Sequence, residues 1–343
     1  MASRARKAPF PKTDCHMLQR LTIAVAVAAS SVVGSSQAAD RSAQDWLAKM
    51  SEAVRTQNYE GVVVYRTGEQ LETMRVIHRF SNGQEDERLI SLTGDAREIV
   101  RSDGEVRCLL PRERVVMVDE RGQSALLPKV STVDLETLRL HYEFSRGVVD
   151  RVADRACQGV ALSPRDEFRF GYQLCIDVLT GVPLRIALLD GQGDALEQFL
   201  FTSVGYPETI LDQALEPAID TEGFREIRHG GPEPTLRLED DLSHWMVESL
   251  PPGFRVVGQS TRVFPGAQTP VTHILLTDGL ATVSVFAAES KLPAKVFRGV
   301  SSIGAVHAYG RMVDEFHVAV VGEVPARTVE QIGNSLSRTT PTP

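Results

Sequence analysis

Turn-forming pairs recur at near-regular intervals through the first part of this chain. Thr67-Gly68, Asn82-Gly83, Gly94-Asp95, Asp103-Gly104, Pro111-Arg112 and Arg121-Gly122 separate stretches rich in β-branched and aromatic residues. Spacings of about ten residues leave room for one strand and one tight turn each, the pattern of an antiparallel meander. A looser stretch covers residues 126–146, after which strands are expected at 148–153, 156–162, 168–178, 184–190 and 196–204. Roughly eleven strands in one sheet must curl, either closing or wrapping around a covering element. The interior of such a sheet holds an apolar ligand or is filled by side chains.

The first hairpin carries a checkable register. With a loop at 67–70, Val63 opposes Met74 and Tyr65 opposes Glu72. Val63, Tyr65, Met74, Val76 and Phe80 then share one face, and Val62, Val64, Arg66, Arg75, Ile77 and Arg79 share the other. Both faces are partly apolar, which fits a sheet covered on each side better than an open one. One amphipathic helix precedes the meander at 40–56, with Trp46, Leu47, Met50, Ala53 and Val54 on its apolar stripe. Ser42 is its expected cap, with Asp45 three residues on.

Periodicity weakens at 206–234, where Pro207, Pro217, Pro232 and Pro234 cluster with Gly223, Gly230 and Gly231. We expect an interdomain connection there, partly ordered over 211–216. It joins a larger domain at 39–205 to a smaller α+β domain at 235–338. In the latter, strands are expected at 254–264, 271–277, 280–287, 303–313 and 316–321, with a hairpin turn at Asp278-Gly279. Pro325 suits the first position of a closing helix with Val329, Ile332 and Leu336 on one face.

Residues 1–38 read as an address. A basic start precedes the apolar run at 21–33, and small residues stand at Ser36 and Ala38. That is the layout of a cleavable secretory signal, with cleavage near Ala38. The apolar run is shorter than the roughly 18–20 residues that span a bilayer. The expected compartment is a bacterial periplasm. Without those residues the chain keeps 32 basic against 44 acidic side chains, a poor balance for broad nucleic-acid binding.

Three cysteines follow the leader. Cys157 and Cys175 flank an expected hairpin whose pairing centre falls at Asp166, and opposed strand residues can lie close enough to bridge. A disulfide and two free thiols are both open on this evidence. Cys108 is the odd thiol.

Catalytic motifs are not found: no G-x-S-x-G elbow, phosphate loop, dinucleotide glycine fingerprint or H-E-x-x-H. His78, His141, His229, His244, His273, His307 and His317 are scattered singly, so no metal site is expected. Neither a cofactor nor an enzymatic role is expected. The early strands are locally basic, with Arg66, Arg75, Arg79, Arg88, Arg97, Arg101 and Arg107. These either partner nearby Glu residues across strands or form a cationic rim for anionic groups.

NYEGVVVYRTGEQLETMRVIHRF at 58–80, EDERLISLTGDAREIVRSDGEVRCLLP at 85–111 and DEFRFGYQLCIDVLTGVPLRIALLD at 166–190 resemble the first domain of the RseB/MucB family. LPPGF at 250–254, THILLTDGLATVSVFAAE at 272–289 and VVGEVPARTVEQIGNSL at 320–336 resemble its second domain. The resemblance implies an α+β fold: a large antiparallel unclosed β-barrel similar to LolA and LolB with covering helices, then a smaller α+β domain. It implies a periplasmic negative regulator of an envelope-stress sigma factor. Such a protein binds the periplasmic region of a membrane-spanning anti-sigma factor of the RseA/MucA kind and shields it from site-1 proteolysis. A lipid or lipopolysaccharide fragment is expected to loosen that complex. On this hypothesis Val63, Tyr65, Met74, Val76 and Phe80 line the lipid side, Arg66, Arg75 and Arg79 meet anionic groups, and the second domain supplies much of the anti-sigma contact. A periplasmic lipid or lipoprotein carrier and an exported hydrolase are the rival readings, and homo-oligomerisation stays open.

Overall fold

The leading helix, α1 (Ala43–Thr56), starts where its cap chemistry dictates. The Asp45 amide donates to Ser42 Oγ at 3.2 Å, and the Ser42 amide donates to Asp45 Oδ2 at 2.9 Å. Two otherwise orphaned donors are thereby satisfied reciprocally. Ala43, Trp46, Leu47, Met50, Ala53 and Val54 form its buried stripe. Full burial of a side chain such as Leu47 or Met50 contributes about 1.5–3 kcal/mol.

The computed structural model describes residues 41–102, 104–119, 135–229, 245–262, 269–290 and 296–338, all within one compact unit. The leader, the turn at Arg121-Gly122, the first part of the looser stretch and the end of the connection with Pro232 and Pro234 lie outside them.

The meander follows α1 as β1 (Tyr59–Thr67), β2 (Gln70–Ser81), β3 (Gln84–Ser91), β4 (Glu98–Ser102), β5 (Glu105–Leu110) and β6 (Val115–Asp119). A short helix, α2 (Leu135–Arg139), leads into β7 (Tyr142–Val152), β8 (Arg155–Pro164), β9 (Gly171–Asp177), β10 (Pro183–Leu189) and β11 (Ala195–Gly205). Then come α3 (Asp212–Leu215) and β12 (Arg225–His229). Among the described residues these twelve strands form one sheet in the order β12-β6-β5-β4-β3-β2-β1-β11-β10-β9-β8-β7. Its ends, β12 and β7, do not pair, so the barrel is unclosed. Val63 opposes Met74 and Tyr65 opposes Glu72, the register expected from the turn.

Both faces are covered. Under α1, Val63, Met74 and Val76 join Leu174, Leu184, Phe199 and Phe201 in the main core. Gly181, at φ +89°, lets the β9–β10 turn approach α1 so closely that an added Cβ would lie 3.0 Å from both Ala53 Cβ and Lys49 Cγ. Lys49 Nζ donates to the carbonyls of Val178 and Leu179 at 2.7 and 3.0 Å, tying helix to turn.

The opposite face is covered by the connection itself. Ile210 and Leu215 pack on Ile77, while Ile219 and Phe224 pack against Leu109, Val116 and Val118. The Ala218 amide donates to Glu98 Oε2 at 3.0 Å, and the same carboxylate pairs with Arg88 Nη2 at 2.9 Å. The connection then ends as β12, parallel to β6.

The second sheet holds β14 (Arg255–Arg262), β15 (Val271–Thr277), β16 (Thr282–Glu289), β17 (Gly299–Ile303), β18 (Val306–Val313) and β19 (Phe316–Gly322), in the order β14-β15-β16-β19-β18-β17. A further pair joins β13 (Trp245–Val247) to β20 (Leu336–Arg338). The strand expected over 303–313 begins at Val306 instead, because Ile303 ends β17 and Gly304, in the left-handed conformation at φ +58°, turns the chain between the two. The closing helix, α4 (Ala326–Asn334), buries Thr328, Val329, Ile332 and Gly333, and Pro325 is its cap rather than its first residue.

Candidate functional site

One row of side chains crosses the α1 face from core to surface. Val76 opposes Leu89, Leu89 opposes Ile99, Ile99 opposes Cys108 and Cys108 opposes Met117. Val76 is fully buried, Leu89 is 7% exposed, Ile99 and Cys108 are half-buried, and Met117 is 38% exposed. The row is therefore an apolar trough that opens toward β6. Burial pushes the Cys108 thiol up, so it stays protonated and behaves as a small apolar group.

A polar row borders the trough. Tyr59 opposes His78, His78 opposes Glu87, and Glu87 opposes Arg101. The Tyr59 and His78 rings stack at 4.6 Å. His78 Nδ1 lies 2.9 Å from the Gln57 carbonyl, which can only accept, so Nδ1 carries the proton. Burial holds the imidazole below its ordinary range, hence neutral. Arg101 pairs with Glu87 at 2.9 Å, and Arg55 reaches Glu85 at 3.4 Å. This border sets paired charges and hydrogen-bonding groups beside an apolar floor.

The five apolar residues expected at the ligand do not share one role. Val63 and Val76 are fully buried and Met74 nearly so, all packed in the main core. Tyr65 packs at the margin of that core and donates its hydroxyl to Glu197 Oε2. Phe80 is half-buried at the end of β2, opposite Glu85. Strand alternation puts Leu89, Ile99, Cys108 and Met117 on the same face, nearer its open side. Their alternation with Arg88, Val100, Arg107 and Val118 was visible in the sequence, but not which end α1 leaves uncovered.

The rim arginines require a correction. Arg66, Arg75 and Arg79 point to the face opposite the trough, where Arg79 Nη1 meets Asp212 at 2.6 Å and Nη2 meets Asp86 at 2.7 Å. Arg66 gives its guanidinium to the Ala195 and Gly68 carbonyls at 2.7 and 3.1 Å. Arg75 is exposed. Period-two alternation forbids them from rimming the face that holds Val63 and Met74. Cross-strand pairing instead accounts for Arg79–Asp86, Arg88–Glu98, Arg97–Glu72 and Arg101–Glu87.

A disulfide joins Cys157 to Cys175 with a Cα–Cα separation of 5.2 Å. The ladder centres one residue later than Asp166. Cys157 opposes Asp177 and Gly159 opposes Cys175, so the bridge runs diagonally between β8 and β9. Among the described residues no group of three or more His, Cys, Asp or Glu side chains is placed to hold a metal ion.

The seam between the two sheets centres on Arg169, in the β8–β9 loop. Its Nη1 meets Asp278 Oδ2 at 2.8 Å with both side chains 0% exposed. Its Nε donates to Asp166 Oδ1 at 3.0 Å, and Nη2 donates to the Pro252 carbonyl. Tyr142 and Phe254 lie 5.6 and 5.5 Å from the guanidinium carbon. Asp278 Oδ1 meanwhile accepts the Leu280 and Ala281 amides at 2.9 and 2.8 Å. Thr328 Oγ1 donates to the Phe168 carbonyl at 2.7 Å, and Arg327 pairs with Glu167. Leu280 and Ala305, from the second sheet's turns, pack into the first sheet's core.

Comparison with known proteins finds the MucB/RseB N-terminal domain at residues 42–219 and the MucB/RseB C-terminal domain at residues 239–337. The chain belongs to the MucB/RseB family. It is 32% identical over 309 residues to the sigma factor AlgU regulatory protein MucB of Pseudomonas aeruginosa, covering 89% of this chain and 93% of that one. Two solved structures, the Pseudomonas aeruginosa MucA/MucB complex and MucB in complex with MucA(peri), each match with TM-score 0.69 and 29% identity, covering 87% of this chain and 99% of theirs. In this MucB/RseB member the seam falls between the two matched domains, with Arg169 in one and Asp278 in the other. Sequence reasoning missed Arg169 because the expected strand at 168–178 swallowed it. Asp278 was visible only as a turn residue.

Proposed function

We propose that this chain is a periplasmic regulatory binding protein, exported by a leader cleaved near Ala38. It binds the periplasmic region of a membrane-spanning anti-sigma factor of the RseA/MucA kind, shields it from site-1 proteolysis, and so restrains an envelope-stress sigma factor. It acts by occupying a surface and not by turning over a substrate. The likeness, across both halves, to MucB solved in complex with MucA(peri) is the observation that carries this reading.

A lipid or lipopolysaccharide fragment relieves the restraint. The open end of the trough, with Ile99, Cys108 and Met117, offers an acyl chain an apolar floor. A ligand shifts a binding equilibrium only by its differential affinity for the free and bound forms, and the effect is reciprocal. A coupling of about 1–3 kcal/mol changes partner affinity by about 5–150-fold.

Titration calorimetry against a soluble anti-sigma periplasmic domain tests the first part, together with the rate at which a site-1 protease cleaves that domain with and without the chain. Binding with slowed cleavage is expected. Binding without protection, or no binding, overturns the reading.

A further inference from the structure

Among the described residues the two large sheets end in four edge strands, β7 and β12 on the first and β14 and β17 on the second. An edge presents unpaired backbone N–H and C=O groups and invites a further strand unless something blunts it. Three of the four are blunted. β7 carries Arg146, Asp150 and Arg151 and a register shift between Arg146 and Val149. β12 carries Arg225, Glu226 and Arg228 within five residues. β14 carries Arg255 and a register shift between Val256 and Gly258.

β17 has none of these devices. Its sequence, GVSSI, holds no charge and no proline, its ladder to β18 runs without a shift, and all five residues are exposed. Apolar surface lies at the same edge. Gly299 opposes Gly310 and Ile303 opposes Val306, so these four share a face, and Ile303 is 81% exposed. Phe297 lies on that face, with its Cδ1 2.5 Å from where a Gly310 Cβ would stand, and its carbonyl accepts from His317 Nε2 at 2.8 Å. Above Gly299 the space is open: an added Cβ would meet nothing within 4 Å. An exposed isoleucine and an open space therefore stand at opposite ends of one strand, on one face.

We propose that β17 pairs antiparallel with β17 of a second copy of this chain, about a two-fold axis at Ser301, joining two six-stranded sheets into one. That register uses all five residues. Ser301 opposes Ser301 of the second copy, and Val300 opposes its Ser302. Ile303 of each copy enters the space above Gly299 of the other, beside Phe297. Opposed residues of a sheet share a face, and positions 299, 301 and 303 do so in this register. The contact is isologous, so one self-complementary strand is sufficient. A strand without charge sets no like charges opposite each other when it meets itself. Pairing over so short an edge makes a small contact, so the dimer is reversible and depends on concentration. It does not depend on which partner the chain restrains.

Sedimentation velocity over a concentration series tests the pairing. The parent chain should shift from monomer to dimer as concentration rises. Ser301→Lys and Ser301→Glu each set like charges opposite at the two-fold axis, and each alone should associate roughly tenfold more weakly or less still. An equimolar mixture of the two should restore the dimer, because lysine then faces glutamate. Val148→Lys, on the β7 edge, should associate as the parent does, with circular dichroism confirming that every variant is folded. A parent that stays monomeric, a Ser301 variant that associates undiminished, or a mixture that stays monomeric overturns the pairing. A monomeric parent that instead binds a fluorescent Val-Thr repeat peptide, with loss in Ser301→Lys, gives the edge to another protein's strand and overturns it too.

Discussion

Arg169 and Asp278 form an ion pair from which water is excluded on both sides, one residue from each half of the molecule. A charge so placed depends on its partner, because neither can fall back on solvent. The pair therefore couples the stability of the two halves.

Replacing one partner alone should be severe. Arg169→Met or Asp278→Leu is expected to cost about 3–5 kcal/mol, since each strands a buried charge. The double variant should recover part of that loss, because two apolar groups leave nothing unpaired. Urea unfolding of the three variants checks this; a double variant as unstable as the sum of the singles would contradict it.

Reduction of the Cys157–Cys175 bridge should lower stability without changing the fold. The two residues are separated by 18 positions, and closing a loop of similar size constrains the unfolded chain by about 3 kcal/mol. Thermal melts with and without a reductant, and of Cys157→Ser, should show matching losses.

Lipid affinity should track the trough and not the opposite face. Met117→Asp and Ile99→Asp are expected to weaken binding of a fluorescent fatty acid roughly tenfold or more, the equivalent of about one lost apolar contact. Arg75→Ala should leave it unchanged. Met74→Asp is a poor probe, because Met74 belongs to the packed core and the variant should lose stability first. Equal binding by Met117→Asp would remove the trough from the site.

His78 predicts an acid-sensitive fold. Its folded pKa lies below the ordinary 6.5, so just below that pH the unfolded chain binds more protons than the folded one. Stability should rise with pH across this window and be lost on acidification, by linkage. His78→Phe keeps the stacking on Tyr59 but has no proton to bind, so its urea midpoint should lose this part of the pH slope. An unchanged slope would assign the effect to other groups.

Short-range features were legible because short-range chemistry writes them. The Ser42–Asp45 box, the turn glycines and the Val63–Met74 register each depend on a few neighbouring residues. So did the requirement that both faces of the first sheet be covered, since Val62, Val64 and Ile77 alternate with Val63, Met74 and Val76. What would cover the second face was not legible. Residues 210–224 look like a proline-rich connection, and only the apolar spots left by Ile77, Leu109 and Val116 give Ile210, Leu215, Ile219 and Phe224 a place to pack.

The amino-acid order by itself determined the helix, the hairpins, the two-part organisation and the family. Periodicity, capping and turn preference act within one or two turns of chain and need no partner from afar. Strand alternation already put Arg66, Arg75 and Arg79 on the face away from Val63 and Met74. Only the folded chain decided that Met117 marks the open end of the trough and that Arg169 meets Asp278. Those outcomes depend on which element covers which face and on contacts across more than a hundred residues, and no local pattern encodes either.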